Sequence, residues 1–252
     1  MKKLVKVFAL AVMMVMCGQA MAQTRGAMFL GASFPLEDYA DFDEFDDFAL
    51  VSNYLDDDDA GAGIGFNAGL KWYFNVGVKG LDVMLSLDGF FNGPNADLKT
   101  AYRNNEGSIG GQIIGAGFEY KSTPKYINVP AMLGLNYMYH LNPNFGIFVE
   151  AGAGGNLRFI TDMEYVTKTH VWIFDTNTKV TNNYDKAFTF AYQVGLGVEV
   201  AKNLVIGCSF YDLGKAQVIG ERVVRGDSNS PYAENWGTMH PMMILGRVGF
   251  SF

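Results

Sequence analysis

Between residues 126 and 159 apolar and polar positions alternate along two long arms. Ile127, Val129, Ala131, Leu133, Leu135, Tyr137, Tyr139 and Leu141 take every second place in the first arm, with Asn128, Gly134, Asn136 and His140 among the residues between them. The second arm sets Phe145, Ile147, Val149, Ala151, Ala153 and Leu157 against Gly146, Glu150, Gly152, Asn156 and Arg158. A period of two places one set on each face of a strand. Asn142-Pro143-Asn144 is short and made of turn formers, which predicts an antiparallel hairpin. Soluble strands commonly run about five or six residues. A tilted strand crossing a bilayer needs roughly 9 to 11, which both arms exceed.

The same alternation recurs along the chain. It predicts strands over 24–34, 61–74, 81–91, 188–200, 204–213 and 239–252. The clearest is 61–74, where Ala62, Ile64, Phe66, Ala68, Leu70, Trp72 and Phe74 oppose Gly61, Gly63, Gly65, Asn67, Gly69, Lys71 and Tyr73. The connections alternate strictly between long and short. Eight strands joined in this way put both termini on one side, the pattern of bacterial outer-membrane barrels. The expected fold is all-β: an eight-stranded antiparallel transmembrane β-barrel with short periplasmic turns and four long extracellular loops. Residues 110–120 read as an extension of the wall above the membrane. Trp72, Phe74, Tyr137, Tyr139, Phe250 and Phe252 sit near the turn ends of outward faces, where an interfacial girdle belongs.

The start of the chain and its composition agree with export. Residues 1–22 have the three parts of a signal peptide: Lys2, Lys3 and Lys6, an apolar run over 7–16, and the small-x-small site Ala20-Met21-Ala22. Cleavage there leaves 23–252 as the barrel domain. A lipoprotein reading would use Cys17, but Met16 precedes it where a small residue is wanted. Cys208 is the only other cysteine, so the mature fold holds without an internal disulfide. No later stretch is apolar for long enough to be a helical span. Lys and Arg number 19 against 26 Asp and Glu, and the signal carries three of the lysines and no acid, so the mature chain is more acidic still. That balance argues against nucleic acid as a partner.

Tyr126-x-Asn128-x-Pro130, the apolar arm that follows, the short turn, and Phe148-x-Glu150-Ala151-Gly152 together resemble the porin-like outer-membrane β-barrel domain proteins common in Bacteroidetes. Gln193-Val194-Gly195-Leu196-Gly197-Val198-Glu199 with Asn203-Leu204 is similar to the sixth strand and turn of that family. The usual carboxylate between the tyrosine and the proline is Asn128 here. The resemblance implies the outer membrane of a Gram-negative bacterium. It does not by itself imply an open pore.

The alternation places Lys71, Asp82, Asp88, Glu150, Arg158, Glu199 and Arg247 inside the barrel. Eight strands leave an interior just wide enough for side chains to fill, and buried charges must pair. Three readings stay open: a plug of acid-base pairs, a gated polar path in which Glu150 and Arg247 exchange partners, and a catalytic carboxylate. Residues 36–59 carry eleven acids and no Lys or Arg. There Asp56, Asp57, Asp58 and Asp59 form a solvated loop or a weak site for a divalent cation bridging to lipopolysaccharide phosphate. His140, His170 and His240 are scattered, without the close spacing of a hydrolytic triad. Cys208 shares the lipid-facing row of Leu204, Ile206 and Phe210. Phe250 and Phe252 end the chain as an assembly signal. The expected partners are outer-membrane lipids and lipopolysaccharide, the barrel-assembly machinery, and an extracellular ligand at the loops. No cofactor is expected. Surface binding or adhesion with a structural role in the envelope leads, ahead of a narrow channel for small solutes and a lipid-modifying enzyme.

Overall fold

The computed structural model describes residues 24–41, 60–105, 107–110, 114–171, 174–224 and 232–252. The signal segment and the four acids Asp56 to Asp59 lie outside the described residues. Eight strands close into an antiparallel barrel: β1 (Thr24–Leu36), β2 (Gly65–Asn75), β3 (Leu81–Asn92), β6 (Tyr126–Asn142), β7 (Phe145–Ile160), β10 (Ala187–Val200), β11 (Leu204–Asp212) and β14 (Met242–Ser251). Each pairs with its neighbours in sequence, and β1 with β14 completes the ring. Gly26 and Phe252 seal that seam by exchanging two backbone hydrogen bonds of 2.9 Å.

The short turns follow from local chemistry. Asn75 and Asn142 each accept a hydrogen bond on the side-chain oxygen from the backbone N–H two residues on, at 2.8 and 2.9 Å. Ala201 and Lys202 both take positive φ, 54° and 69°, in the three-residue turn that the Asn203 N–H closes on the Val200 carbonyl at 3.3 Å. Gly80 has φ of 79°, and a Cβ there would lie 2.4 Å from the Met138 carbonyl oxygen, so turn and neighbouring strand fit only around glycine.

On the barrel strands the outward row is apolar and exposed. It includes Leu30, Phe66, Leu135, Val149, Phe190, Leu196 and Val248. Cys208 lies in this row and is exposed. Among the described residues no helix is long and apolar enough to cross a membrane. This barrel crosses with strands, whose outward row is the face lipid covers. The outward aromatics form two bands. Trp72, Tyr137, Tyr139 and Phe250 lie toward the turn end. Phe66 stacks on Phe91 at 5.3 Å toward the loop end, where Phe188 and Phe190 are also exposed. The alternation had located the first band alone.

Three of the four long connections differ from the loops expected of them. Six strands, β4 (Gly107–Gly110), β5 (Ile114–Ser122), β8 (Met163–Val171), β9 (Phe174–Tyr184), β12 (Ala216–Val224) and β13 (Tyr232–Met239), form an open sheet in the order β13-β12-β9-β8-β5-β4. Residues 114–120 thus belong to β5 of this second sheet, paired with β8, and do not extend the barrel wall as expected. The sheet was hidden because 163–184 is rich in Thr, Asn and charge on both rows and shows no apolar face. Its strand signal is the density of Thr, Val and Tyr, which suit a pleated surface. A helix, α1 (Ala96–Asn105), stands between β3 and β4.

Candidate functional site

Inside the barrel the alternation delivers charge to one level. Lys71 on β2, Asp88 on β3, Glu150 on β7 and Arg247 on β14 are all buried and converge there. Arg247 is the centre. One guanidinium nitrogen reaches Asp88 Oδ1 at 3.1 Å, and the other reaches Glu150 Oε1 at 3.1 Å and Ser209 Oγ at 2.6 Å. Lys71 bonds the same Glu150 oxygen. Tyr211 donates to Asp88 Oδ2 at 2.9 Å. Two cations face two carboxylates, so the layer is neutral. Removing any one member would leave a charge buried without compensation, the costly case.

Aromatic rings close the layer on both sides. Phe29 lies against Arg247 and Lys71, with ring-to-cation distances of 5.1 and 5.4 Å. It belongs to an apolar cluster with Tyr73, Met84, Met138 and Phe148 in the turn-side half. Tyr211 packs edge-on to Phe90 at 5.1 Å within the larger loop-side cluster. The middle of the barrel is therefore packed with side chains. Glycine makes room for it. A Cβ on Gly195 would stand 2.5 Å from Ser209 Oγ and 2.8 Å from Glu150 Oε1. One on Gly69 would stand 2.0 Å from Asp88 Oδ1. Several neighbouring atoms, including Glu150 Oε2, Ser86 Oγ, Gln193 Oε1 and both polar atoms of Asn136, are buried with no protein hydrogen-bond partner among the described residues. Buried atoms of that kind generally hold water.

The other expected lumen charges lie elsewhere. Glu199 pairs with Arg25 near the turn end, and Arg25 also stacks over Tyr73 at 4.6 Å. Asp82 sits by Asn75 at 3.4 Å on the rim of the same end. Asp82, Glu199 and Arg25 line a mouth cavity of about 670 Å³ together with His140. Arg158 is at the opposite end and meets no carboxylate among the described residues. Its partners among them are carbonyls: it donates to those of Met239, Ala216 and Gln217 at 3.0 to 3.2 Å and so ties the base of the outer sheet to the barrel. Arg25, Ser209 and Tyr211 escaped the sequence reading. Arg25 precedes the clear alternation, and Ser209 and Tyr211 carry no charge, although the inward parity of β11 marks both positions.

The histidines do not come together. His140 is at the turn end and His240 at the loop end, while His170 occupies a β8 position opposite Gly115 and Asp175. His240 Nε2 lies 2.8 Å from Asp212 Oδ1, which also accepts from the Gly214 N–H at 2.9 Å. On the outer sheet the charges pair locally and in the open. Lys168 reaches Glu119 at 2.7 Å and Lys179 reaches Glu164 at 2.8 Å. Hydrogen bonds from Lys121 and Lys168 pull the Glu119 carboxyl down to about 2.

No family model matches this chain, and no curated protein does. Solved structures do. Ail, the attachment invasion locus protein of Yersinia pestis, solved with the heparin analogue sucrose octasulfate, is 13% identical over 91% of this chain and 99% of its own, with a TM-score of 0.38. The outer membrane protein OprG from Pseudomonas aeruginosa is 10% identical over 92% and 97%, with a TM-score of 0.42. The Neisserial surface protein A is 9% identical over 91% and 97%, with a TM-score of 0.41. The likeness to these proteins is one of fold alone.

Proposed function

We propose that this chain is a non-enzymatic outer-membrane protein whose filled barrel anchors a raised β-sheet for binding or adhesion outside the cell. The supporting observation is the buried Lys71–Glu150–Arg247–Asp88 layer, sealed by Phe29 and Tyr211. A solute would have to break three ion pairs and displace aromatic rings to pass. In this reading residues 1–22 direct export, the short turns face the periplasm, and Phe250 and Phe252 are read by the assembly machinery. The porin-like family of Bacteroidetes remains the family we favour, on the residues that resemble it. The acids Asp56 to Asp59 lie outside the described residues, and carboxylates at that density attract divalent cations.

Liposome swelling tests the closed lumen. Vesicles holding the refolded mature chain are placed in isotonic small sugars and amino acids. The filled barrel predicts swelling no faster than protein-free vesicles, and swelling that scales inversely with solute size would sink this reading. The buried polar atoms without protein partners beside Glu150 favour one second reading, a narrow channel that opens when Arg247 changes partners. The enzymatic reading has less support. His240 and Asp212 form a pair, but a triad would also need a nucleophile on the second ring nitrogen of His240.

A further inference from the structure

The acidic chain carries one basic hollow. A cavity of about 500 Å³ at the loop-end rim is lined by Lys99, Arg103, Lys121 and Lys125, with Ser122 and Thr123 among its polar groups and, among the described residues, no carboxylate in its wall. The hollow is built from fixed parts. Lys99 and Arg103 are four apart on α1 and so share a face. That helix is held by buried Leu98 and by Asn95, which accepts from the Leu98 N–H at 2.8 Å and donates to the Ala40 carbonyl at 2.7 Å. Ser122 Oγ accepts from the Glu164 N–H at 3.0 Å. The Lys125 backbone is bonded both ways to Thr161, at 2.9 and 3.0 Å, so it prolongs the β6–β7 ladder past its last rung. Glu119 engages Lys121 from the side. Among the described residues Lys99, Arg103 and Lys125 have no ion-pair partner.

Position decides what such a hollow takes. Lys125 stands two residues beyond Ile127, which lies on the outward row beside Phe91 and Phe159. Lys186 lies 5.2 Å from the Phe159 ring. Cations thus cap the upper edge of the apolar belt, at the depth of the headgroups of the lipids whose chains cover that belt. We propose that Lys99, Arg103, Lys121 and Lys125 bind the phosphate of a phosphorylated glycolipid in the outer leaflet. Ammonium and guanidinium groups hold phosphate oxygens by charge-assisted hydrogen bonds, and Thr123 adds a neutral hydroxyl in the same wall, while Ser122 is fixed by donating to the Asp162 carbonyl at 3.2 Å. This rests on the membrane reading of the barrel but not on its lumen being closed, so a conducting barrel would leave it standing.

The test is native mass spectrometry of the refolded mature chain in mixed micelles, with bis-phosphorylated lipid A and with its dephosphorylated form. A heat-dependent gel shift first shows that each sample is folded. The wild type is expected to retain the phosphorylated lipid about tenfold better. K99Q/R103Q/K125Q is expected to lose that preference, and K79Q/K202Q at the turn end to keep it. If the triple variant does not fold, the three single variants replace it, and each is expected to lower the preference. Equal retention of the two lipids by the wild type, or an unchanged preference in the variants, overturns the proposal. Displacement of the lipid by equimolar inorganic phosphate would mark a site for the free ion and overturn the headgroup assignment.

Discussion

The barrel interior and the outer sheet use the same residue types to opposite ends. In the barrel, Arg247 reaches Asp88 and Glu150 across long stretches of sequence, and all three are buried. In the sheet, Glu119 and Glu164 pair with lysines on neighbouring strand positions, in solvent. Burial makes the first set costly to break and fixes which strands must face one another. Exposure makes the second set cheap to exchange.

The difference predicts a graded set of outcomes. Arg247→Ala leaves Asp88 and Glu150 with Lys71 alone and should cost about 3–5 kcal/mol in urea unfolding from vesicles. Val149→Arg places charge in the middle of the lipid-facing row and should cost roughly 2–4 kcal/mol, while Thr178→Arg on the outer sheet should leave the midpoint unmoved. Gly195→Ala should cost about 1–3 kcal/mol by crowding Ser209 and Glu150, seen as a lower unfolding midpoint. Glu119→Gln should not move the midpoint at all. Its carboxyl is instead expected to titrate by NMR at about 2, below its ordinary 4.5, because Lys121 and Lys168 bond the charged form. A depressed acid contributes above the ordinary carboxylate range, so whatever Glu119 adds persists through neutral pH and fades only as pH falls toward about 2.

The barrel was legible because lipid imposes one rule on every strand. Outward positions must be apolar, so period two survives along β2, β6, β7 and β10 without interruption. Inward positions obey no such rule. Lys71, Glu150 and Arg247 share the inward parity with Asp82, Arg158 and Glu199, yet the first three meet and the others go to the two ends. Parity gives the face, whereas height along the barrel depends on register, which only pairings such as Asn136 with Glu150 or Gly31 with Arg247 fix. The apolar side chains inside, Phe29, Met84 and Phe148, were also missed, since a barrel of this width buries both kinds of residue. The outer sheet went unread because its buried row is short and partly polar, Val180, Asn182 and Tyr184 on β9, and the rest of 174–184 carries no apolar period.

Single-channel recording of the wild type beside Arg247→Ala, both shown folded by gel shift and inserted in planar bilayers, tests the filled barrel most directly. A barrel sealed by the charged layer predicts a silent wild type and openings that appear only when Arg247 is gone. Steady openings in the wild type, unchanged by the substitution, would contradict it.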